Sequence, residues 1–507
     1  MITKQKIIYL VLFFPLILLL IPTFSLTYDL WDGVIIQFAA ETNNFSGLEV
    51  YFFESRWFLQ HYLSLLIIFF SDFLNLDYKN FNAIVVYLTF IVFIFENYYL
   101  AKNIFNLKLK YQIWYLALIS TFPAFSVFTS SIMTFHLLCF TLSLVGIRFI
   151  NTKENNLKKL IGYFLIFISF NFNSLLVFSP LLSLVYDRFK QRKNYISLNT
   201  IIVLLISIVV FFFRSYFEPF GEYEKYNELI IFNKEKIGEI FMGIYYFSSY
   251  PILIIFTNVI IIFFLNIKNF KININKVLIN KFFYLLIPII ILFFAGSFPY
   301  IAVGKWAGYW DVKEWTSRQA ILISIPFSLF AIYFTKNIMD FLILEEVKKR
   351  FLTNLILSLI LITNILFFSF GILEKLNRNI YENKLSQVLQ KTFEEPIQPG
   401  YVQFYGNNVP GPNFRLYEVN FLLYKTFKQR SYFAKFSEYK DLNFKLDEKI
   451  LRNDKYKIKY IFNDNLDCST YINLKNYNFI KTFDKLKNVF RFQNPIVKIN
   501  KTETICK

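Results

Sequence analysis

The sequence predicts an α-helical polytopic membrane protein with about 11 transmembrane helices and a small C-terminal extracytoplasmic domain of α/β or mostly β structure. Of its 507 residues, 56% are hydrophobic and 66 are phenylalanine, and the mean hydropathy is +0.43, which does not fit a water-soluble surface. The formal net charge of +19 is attributed to Lys and Arg in cytoplasmic loops rather than to a nucleic-acid-binding surface. From about residue 373 the composition changes to alternating charged, Asn and aromatic residues. The chain is therefore divided into a transmembrane domain, residues 1–372, and an extracytoplasmic soluble domain, residues 373–507.

The positions of Lys and Arg orient the predicted spans, because cytoplasmic ends carry the excess of positive charge. Residues 7–26 follow two lysines and are interpreted as an anchor that begins in the cytoplasm, and residues 82–100 return to a basic loop. Residues 27–81 then lie outside, with the apolar stretch 57–73 as a juxtamembrane helix on the outer leaflet. The further predicted crossings are residues 111–129, 133–150, two short helices within 160–187, 197–214, 250–267, 282–302, 319–335 and 351–372. This topology puts the N-terminus in the cytoplasm and the C-terminal domain outside a bacterial plasma membrane.

Residues 160–187 lie between two basic loops and are too few for two full crossings. The segment is therefore predicted to form two short helices that meet at an apex, Asn171 to Ser174. Broken helices are tolerated at membrane depth only where they are buried in protein or line a wet cavity. A hydrated cavity in the outer half of the protein is expected next to this apex.

The first outer loop is rich in acids, and Asp29 and Asp32 are the candidate catalytic residues. Because they are three residues apart, one helical turn would place both carboxylates on one face. Partial desolvation beside an apolar boundary would raise a carboxylate pKa toward the range of a general base. One acid would act as the base, and the other would orient it or hold a divalent cation, Mg²⁺ or Mn²⁺. The alternative is that both acids are solvated helix termini.

Cations in the outer loops are candidates for binding a phosphate. Lys305 and Arg318 bracket a second exterior loop, residues 303–318, and Arg56 begins the juxtamembrane helix. A guanidinium can grip a phosphate through two hydrogen bonds, and Lys can act as a point charge. The alternative is that these side chains reach to phospholipid headgroups. The tryptophans that could stack on a sugar or acceptor, or form an interfacial belt, are Trp31, Trp57 and Trp310.

Three cysteines and two histidines leave no cluster of the zinc or iron–sulfur type. Cys139 falls in an apolar run, and His136 lies within a predicted span, where a structural histidine is favoured. Cys468 and Cys506 share the C-terminal polar region and could pair if that region faces an oxidising compartment.

The order of these features resembles the integral-membrane glycosyltransferases of the GT-C fold, a class that includes protein mannosyltransferase-like and aminoarabinose transferase-like enzymes. The resemblance covers roughly residues 7–372 and consists of a first span, an acid-bearing outer loop with a juxtamembrane helix, a span ending at a basic loop, and the short double helix. It implies a polyprenyl-phosphate sugar donor and an essential acid in the first outer loop, at Asp32 together with Asp29.

The resemblance implies glycosyl transfer to an extracytoplasmic glycan, lipid or protein acceptor. A base deprotonates the acceptor hydroxyl, and polyprenyl phosphate leaves against Lys305 or Arg318. Two alternatives stay open. A flippase or transporter of lipid-linked sugars would favour an internal repeat, and none is evident in the sequence. A surface-polysaccharide polymerase or ligase would act mainly through outer-loop arginines, for which Arg56, Arg214 and Arg318 are available.

Overall fold

The structure of the protein is a computed structural model in which long helices form one core and a small sheet forms a second. It describes residues 24, 26–43, 45–152, 155–191, 196–217, 219, 228–230, 233–264, 276–312, 315–342, 344–393, 395–397, 400–405, 416–428, 432–437, 468–477 and 496–506. Residues 7–23 of the predicted first span lie outside the described residues.

Fourteen α-helices occur within the described residues, joined in places by short 3₁₀ segments. In chain order they are α1 (Gly33–Thr42), α2 (Ser46–Glu54), α3 (Phe58–Phe73), α4 (Tyr78–Tyr99), α5 (Leu109–Ser120), α6 (Thr134–Ile150), α7 (Asn156–Ser169), α8 (Leu175–Tyr186), α9 (Leu198–Ser215), α10 (Ile237–Phe264), α11 (Lys276–Ile301), α12 (Ser324–Phe341), α13 (Glu346–Thr392) and α14 (Leu416–Phe427). The 3₁₀ segments that matter below are Pro123–Thr129, Ser131–Met133 and Trp315–Ile323. The strands are β1 (Gly400–Tyr405), β2 (Tyr432–Ser437), β3 (Cys468–Tyr477) and β4 (Ile496–Cys506).

Six helical stretches among the described residues are long and apolar enough to cross a membrane: Tyr78–Ile104, Ser131–Ile150, Ile237–Phe264, Phe282–Ile301, Thr316–Phe341 and Glu346–Thr392. A seventh results if Leu109–Ser120 and Pro123–Thr129, which meet at an angle of 51°, form one bent span. The protein is a helical membrane protein. Each predicted crossing that falls within the described residues coincides with a helix, while the total of 11 crossings and their orientation stay a prediction.

Side-chain caps fix the starts of several of these helices. Asp77 accepts hydrogen bonds from the backbone of the first turn of α4, and Asn155 and Ser197 cap α7 and α9 in the same way. Such caps satisfy backbone N–H groups that have no partner inside the helix. The capping residues lie next to charged loops, which explains why hydropathy locates these ends well.

The predicted short double helix is present as α7 and α8, with a break from Phe170 to Ser174. Helix α7 packs closely on α6 because each contributes a glycine. A Cβ atom added to Gly146 would lie 2.8 Å from the carbonyl oxygen of Gly162. A larger residue at either position would therefore push the two helices apart and move the break.

Helix α3 occupies the stretch predicted to be juxtamembrane. Five of its large apolar side chains are exposed, and four of them share one face because they are spaced three or four residues apart: Tyr62, Leu66, Phe69 and Phe73. The opposite face is buried against the helical core, where Gln60 donates a hydrogen bond to the carbonyl of Ile132 at 3.1 Å. The helix therefore presents an apolar stripe outward, as expected of a helix that lies on lipid.

The C-terminal region forms a mixed four-stranded sheet in the order β2-β1-β3-β4. Strand β1 pairs parallel with β2 and β3, and β3 pairs antiparallel with β4. Helix α14 connects β1 to β2, as parallel neighbours require a crossover. Short strand-like patterns in the sequence predict strands at Tyr401–Tyr405, Tyr456–Phe462 and Val489–Phe492. The first is confirmed as β1, whereas the other two lie outside the described residues.

Helix α13 joins the two cores without interruption. Its first half packs in the transmembrane core, for example through Ile356 and Ile360. Its last turns contribute Tyr381, Leu385 and Leu389 to the core of the C-terminal sheet. The predicted domain boundary after residue 372 therefore falls inside a continuous helix of 47 residues.

Candidate functional site

A cavity of about 420 Å³ opens beside the break between α7 and α8. Three cations line it, and no acidic residue is among its described lining residues. The residues that matter for its chemistry are Trp57, Gln60, His136, Asn171, Ser174, Arg214, Lys305, Arg318 and Gln319. Apolar side chains from α6, α8, α9 and α11 form the rest of the wall. The cavity therefore combines positive charge with an apolar lining, which suits an amphiphilic anion.

Arg214 reaches the cavity from the last turn of α9, where a cation complements the helix dipole. Its Nη2 donates to the carbonyl oxygen of Asn171 at 3.2 Å and to the Oδ1 of the same residue at 3.3 Å. These bonds tie α9 to the break in the short double helix. The same guanidinium carries further N–H groups, which are the donors that a phosphate requires.

Lys305 and Arg318 come from the exterior loop and from the 3₁₀ segment that follows it. Lys305 is placed by Gly304, whose φ of +68° is a backbone conformation that favours glycine. A side chain there would also collide with Glu239, because an added Cβ would lie 2.3 Å from its Oε2. Burial and, to a smaller extent, the positive charge of Arg318 together lower the pKa of Lys305 to about 7. A bound anion would reverse this effect by stabilising the protonated form.

Gln319 and His136 are two of the uncharged polar side chains in the cavity wall. Gln319 is only 5% exposed, and its Oε1 has no hydrogen-bond partner within the described part of the chain. A buried amide oxygen without a partner loses free energy unless a ligand or water donates to it. The His136 ring packs edge-on against Phe172, with ring centres 4.8 Å apart, and faces the same space. Both groups suit a ligand that carries hydroxyls as well as charge.

The acidic first loop does not line this cavity, and the side chains of Asp29 and Asp32 are buried by other parts of the chain. Asp29 is fully buried, and both carboxylate oxygens accept from the backbone N–H of Ser131, at 3.1 and 3.2 Å. Its Oδ1 also accepts from the N–H of Leu30 at 2.7 Å. Gly33 allows this arrangement, since an added Cβ would lie only 2.6 Å from that oxygen. The carboxylate therefore holds the loop against the segment that begins α6.

Lys79 supplies positive charge beside this carboxylate. The side chain is buried, donates a hydrogen bond to the carbonyl of Tyr28 and interacts electrostatically with Asp29. Asp32 is 6% exposed at the start of α1, and its side chain does not cap that helix. A negative charge at a helix N-terminus is favourable even without a direct cap.

The C-terminal region covers the acidic loop. The backbone N–H of Trp31 donates to Glu418 on α14 at 2.7 Å, and Arg378 on α13 pairs with the same carboxylate at 2.8 Å. On the other side of the loop, Lys425 pairs with Glu41 at 2.7 Å. Lys375 lies 5.6 Å from the ring centre of Trp31. These contacts enclose the acidic loop between the two cores.

The cavity and the acidic loop share one wall. Asp29 accepts from the N–H of Ser131, while the carbonyl of the next residue, Ile132, accepts from Gln60, which lines the cavity. His136 follows one turn later in α6. A single stretch of backbone therefore separates the buried carboxylate from the cation-lined space.

The predicted site residues are divided between these positions. Arg318, Lys305 and Trp57 line the cavity, whereas Asp29, Asp32 and Trp31 lie in the covered loop. Arg56 is not among the lining residues, and its guanidinium lies over the rings of Phe58 and Phe217, 5.9 and 6.0 Å from their centres. Trp310 is 47% exposed and also lies outside the lining.

Arg214, Gln319 and His136 are among the lining residues that received no place in the site predicted from sequence. Arg214 was assigned only to the polymerase or ligase alternative, although its position at the outer end of a predicted span was a usable signal. Gln319 directly follows Arg318, and no pattern marks it in the sequence.

No group of three or more His, Cys, Asp or Glu side chains placed to hold a metal ion occurs in the part of the chain that the structure describes. No protein-family model, curated protein or solved structure matches the chain.

Proposed function

We propose that this protein is a membrane glycosyltransferase that takes a sugar from a polyprenyl-phosphate donor and passes it to an acceptor outside the cytoplasm. The observation that supports this most is the meeting of Arg214, Lys305 and Arg318 in one apolar-walled cavity beside the broken helices. The predicted phosphate-binding residues Lys305 and Arg318 are two of the three. In this proposal the cavity holds the donor phosphate and the first isoprene units.

The cations would contribute most when the bond to the sugar breaks. Negative charge builds up on the departing phosphate oxygens, and preorganised donors in a water-poor site stabilise it more than water does. The Oε1 of Gln319 would accept a hydrogen bond from a sugar hydroxyl, and Trp57 offers a flat apolar surface for the ring. These roles require no nucleotide-binding loop.

The proton acceptor remains assigned to Asp32 together with Asp29, with a divalent cation as an option. For either carboxylate to reach the acceptor, the wall formed by Ser131 and Ile132 would have to shift. The covered loop would also have to separate from Glu418. Donor binding at the other side of the same backbone stretch offers a physical route for that shift.

A surface-polysaccharide polymerase or ligase is the second candidate. Its specific support is that Arg214 and Arg318 line one cavity in which no carboxylate is among the described lining residues. The Asp32→Asn variant separates the two candidates, because the glycosyltransferase assignment expects loss of transfer and the ligase assignment expects retention.

The test uses the full chain in lipid nanodiscs. Binding of a polyprenyl phosphate is compared with binding of the polyprenol of the same length, for the unmodified protein and for Arg214→Gln combined with Arg318→Gln. We expect the phosphate to bind more tightly and the double variant to lose that preference. Equal binding of both lipids by the unmodified protein would remove the basis of the proposal. Mass spectrometry of the lipid that co-purifies would then name the donor sugar.

A further inference from the structure

At one end of the antiparallel pair of β3 and β4, each strand has a cysteine. Cys468, the first residue of β3, lies directly opposite Cys506, the last residue of β4. Directly opposed Cα atoms in antiparallel strands are about 4.5–5.5 Å apart. A disulfide requires about 4.4–6.8 Å between its Cα atoms. The backbone register therefore supplies the separation that a disulfide needs.

A side-chain contact two residues further along agrees with this register. Thr470 lies opposite Thr504, and their hydroxyl oxygens are 3.2 Å apart. Side chains alternate between the two faces of a strand, so positions 468 and 470 share one face, as do positions 504 and 506. The register irregularity lies between Asn473 and Leu474, beyond the threonine pair, and leaves the cysteine positions opposed.

The third cysteine of the chain is remote from this pair. Cys139 lies in α6, fully buried in the helical core. The strand pairing thus places two of the three cysteines at opposed backbone positions, while the third lies in the helical core. Cys139 can therefore serve as an internal control when the thiol reactivity of Cys468 and Cys506 is measured.

We propose that Cys468 and Cys506 form an intramolecular disulfide that ties β4 to β3. The two thiols lose two protons and two electrons in exchange with an oxidised dithiol protein, a thiol oxidase of the compartment, which leaves as the reduced dithiol. The bond closes a ring around residues 468–506. Because β4 is at the edge of the sheet, the bond prevents that strand from fraying.

The inference stands independently of sugar transfer and bears on topology. Disulfides of this kind persist in oxidising compartments and are rare in the bacterial cytoplasm. The redox state of the pair therefore reports on which side of the membrane the C-terminal sheet lies. An oxidised pair agrees with the extracytoplasmic position predicted from the Lys and Arg distribution.

The test uses the full-length chain in membranes prepared without reductant. The membranes are denatured in excess N-ethylmaleimide, so that every free thiol is labelled, and the digest is read by mass spectrometry. We expect one linked peptide pair containing Cys468 and Cys506, two hydrogens lighter than the reduced peptides, and maleimide on Cys139. Labelling of all three cysteines would overturn the proposal.

Two variants and a gel complete the test. Cys139→Ser should leave the linked pair unchanged, and Cys506→Ser should expose Cys468 to maleimide. Non-reducing electrophoresis should show a monomer. A dimer that disappears on reduction would mean that the thiols pair between chains, which contradicts an intramolecular bond.

Discussion

The cation-lined cavity and the acidic first loop lie on opposite faces of the same backbone segment, yet they differ in the sign of their charge and in how open they are. Around Asp29 the donors come from the chain itself, from Ser131 and Leu30, with Lys79 nearby. In the cavity three cations surround an open volume. The carboxylate of Asp29 is thus enclosed by its own chain, whereas the three cations line a volume that an anionic ligand can enter.

The largest effect is expected for Asp29→Asn. Removing the charge takes away one of the acidic groups that interact with the buried Lys79 and replaces an acceptor oxygen with an N–H₂ group. Breaking a buried charge pair typically costs roughly 3–5 kcal/mol of unfolding free energy. Thermal unfolding in detergent, followed by gel filtration, should show a marked loss of folded protein.

Asp32→Asn is the matched control for that experiment. Its side chain does not cap α1, and the helix dipole alone contributes about 1 kcal/mol or less, so we expect a smaller loss of unfolding free energy than for Asp29→Asn. If Asp29→Asn folded as well as the unmodified protein, its carboxylate would not be needed to hold the loop against Ser131 and the contrast with the cavity would fail.

Arg318→Gln tests the other side of the comparison. Losing a charge-assisted hydrogen bond costs about 1.5–3 kcal/mol, which corresponds to roughly 10- to 100-fold weaker binding of a polyprenyl phosphate. Arg56→Gln is the control, because that guanidinium lies over two phenylalanine rings outside the lining. Calorimetry or a fluorescent lipid analogue would measure both. Equal losses in the two variants would mean that the cavity is not the binding position.

The pH dependence of binding sharpens the role of Lys305, whose pKa is lowered to about 7 by burial and by Arg318. Between pH 6 and pH 8 the ligand-free side chain loses its proton, so affinity for the phosphate should fall by up to about tenfold. Lys305→Arg stays charged and should remove that slope. The second ionisation of the phosphate acts oppositely, but it is common to both proteins.

Stability should change in the opposite direction for the same group. The folded pKa is below the ordinary value of 10.5, so above pH 7 the unfolded chain binds more protons at this position than the folded chain. The contribution of Lys305 to folding therefore becomes more favourable as pH rises from 7 to 10.5. Affinity that fell in parallel with stability would point to unfolding rather than to loss of a phosphate contact.

The smallest effect is expected at the rim of the covered loop. Lys425→Gln removes the pair with Glu41, in which both side chains are 19% exposed, and such pairs contribute less than about 1 kcal/mol. Glu418→Gln is the matched buried variant, since its side chain is 1% exposed and binds both Arg378 and Trp31. Limited proteolysis should show faster cleavage near the loop for Glu418→Gln only. Equal protection in both variants would contradict the role assigned to Glu418.

Hydropathy and basic loops predicted the helices and the short double helix, because these features depend on residues close together in sequence. The same local reasoning selected Lys305 and Arg318, which begin and end one loop. It could not show that Asp29 is closed off, because its partner Ser131 is 102 residues away. Nor could it place Trp31 against Glu418, 387 residues along the chain. Whether an acid or a cation is enclosed or faces the cavity depends on contacts between residues that are far apart in sequence, and these contacts cannot be read from a local pattern.

Helix α13 has a mechanical consequence. At about 1.5 Å per residue its 47 residues extend for roughly 70 Å, and about 30 Å of that length lies beyond residue 372. A rigid rod of that length magnifies rotation, so a tilt of about 5° at the bilayer surface displaces its far end by nearly 3 Å. If the membrane-spanning part of α13 tilts, the C-terminal sheet is therefore displaced laterally, because the helix continues into the sheet domain without a hinge or linker.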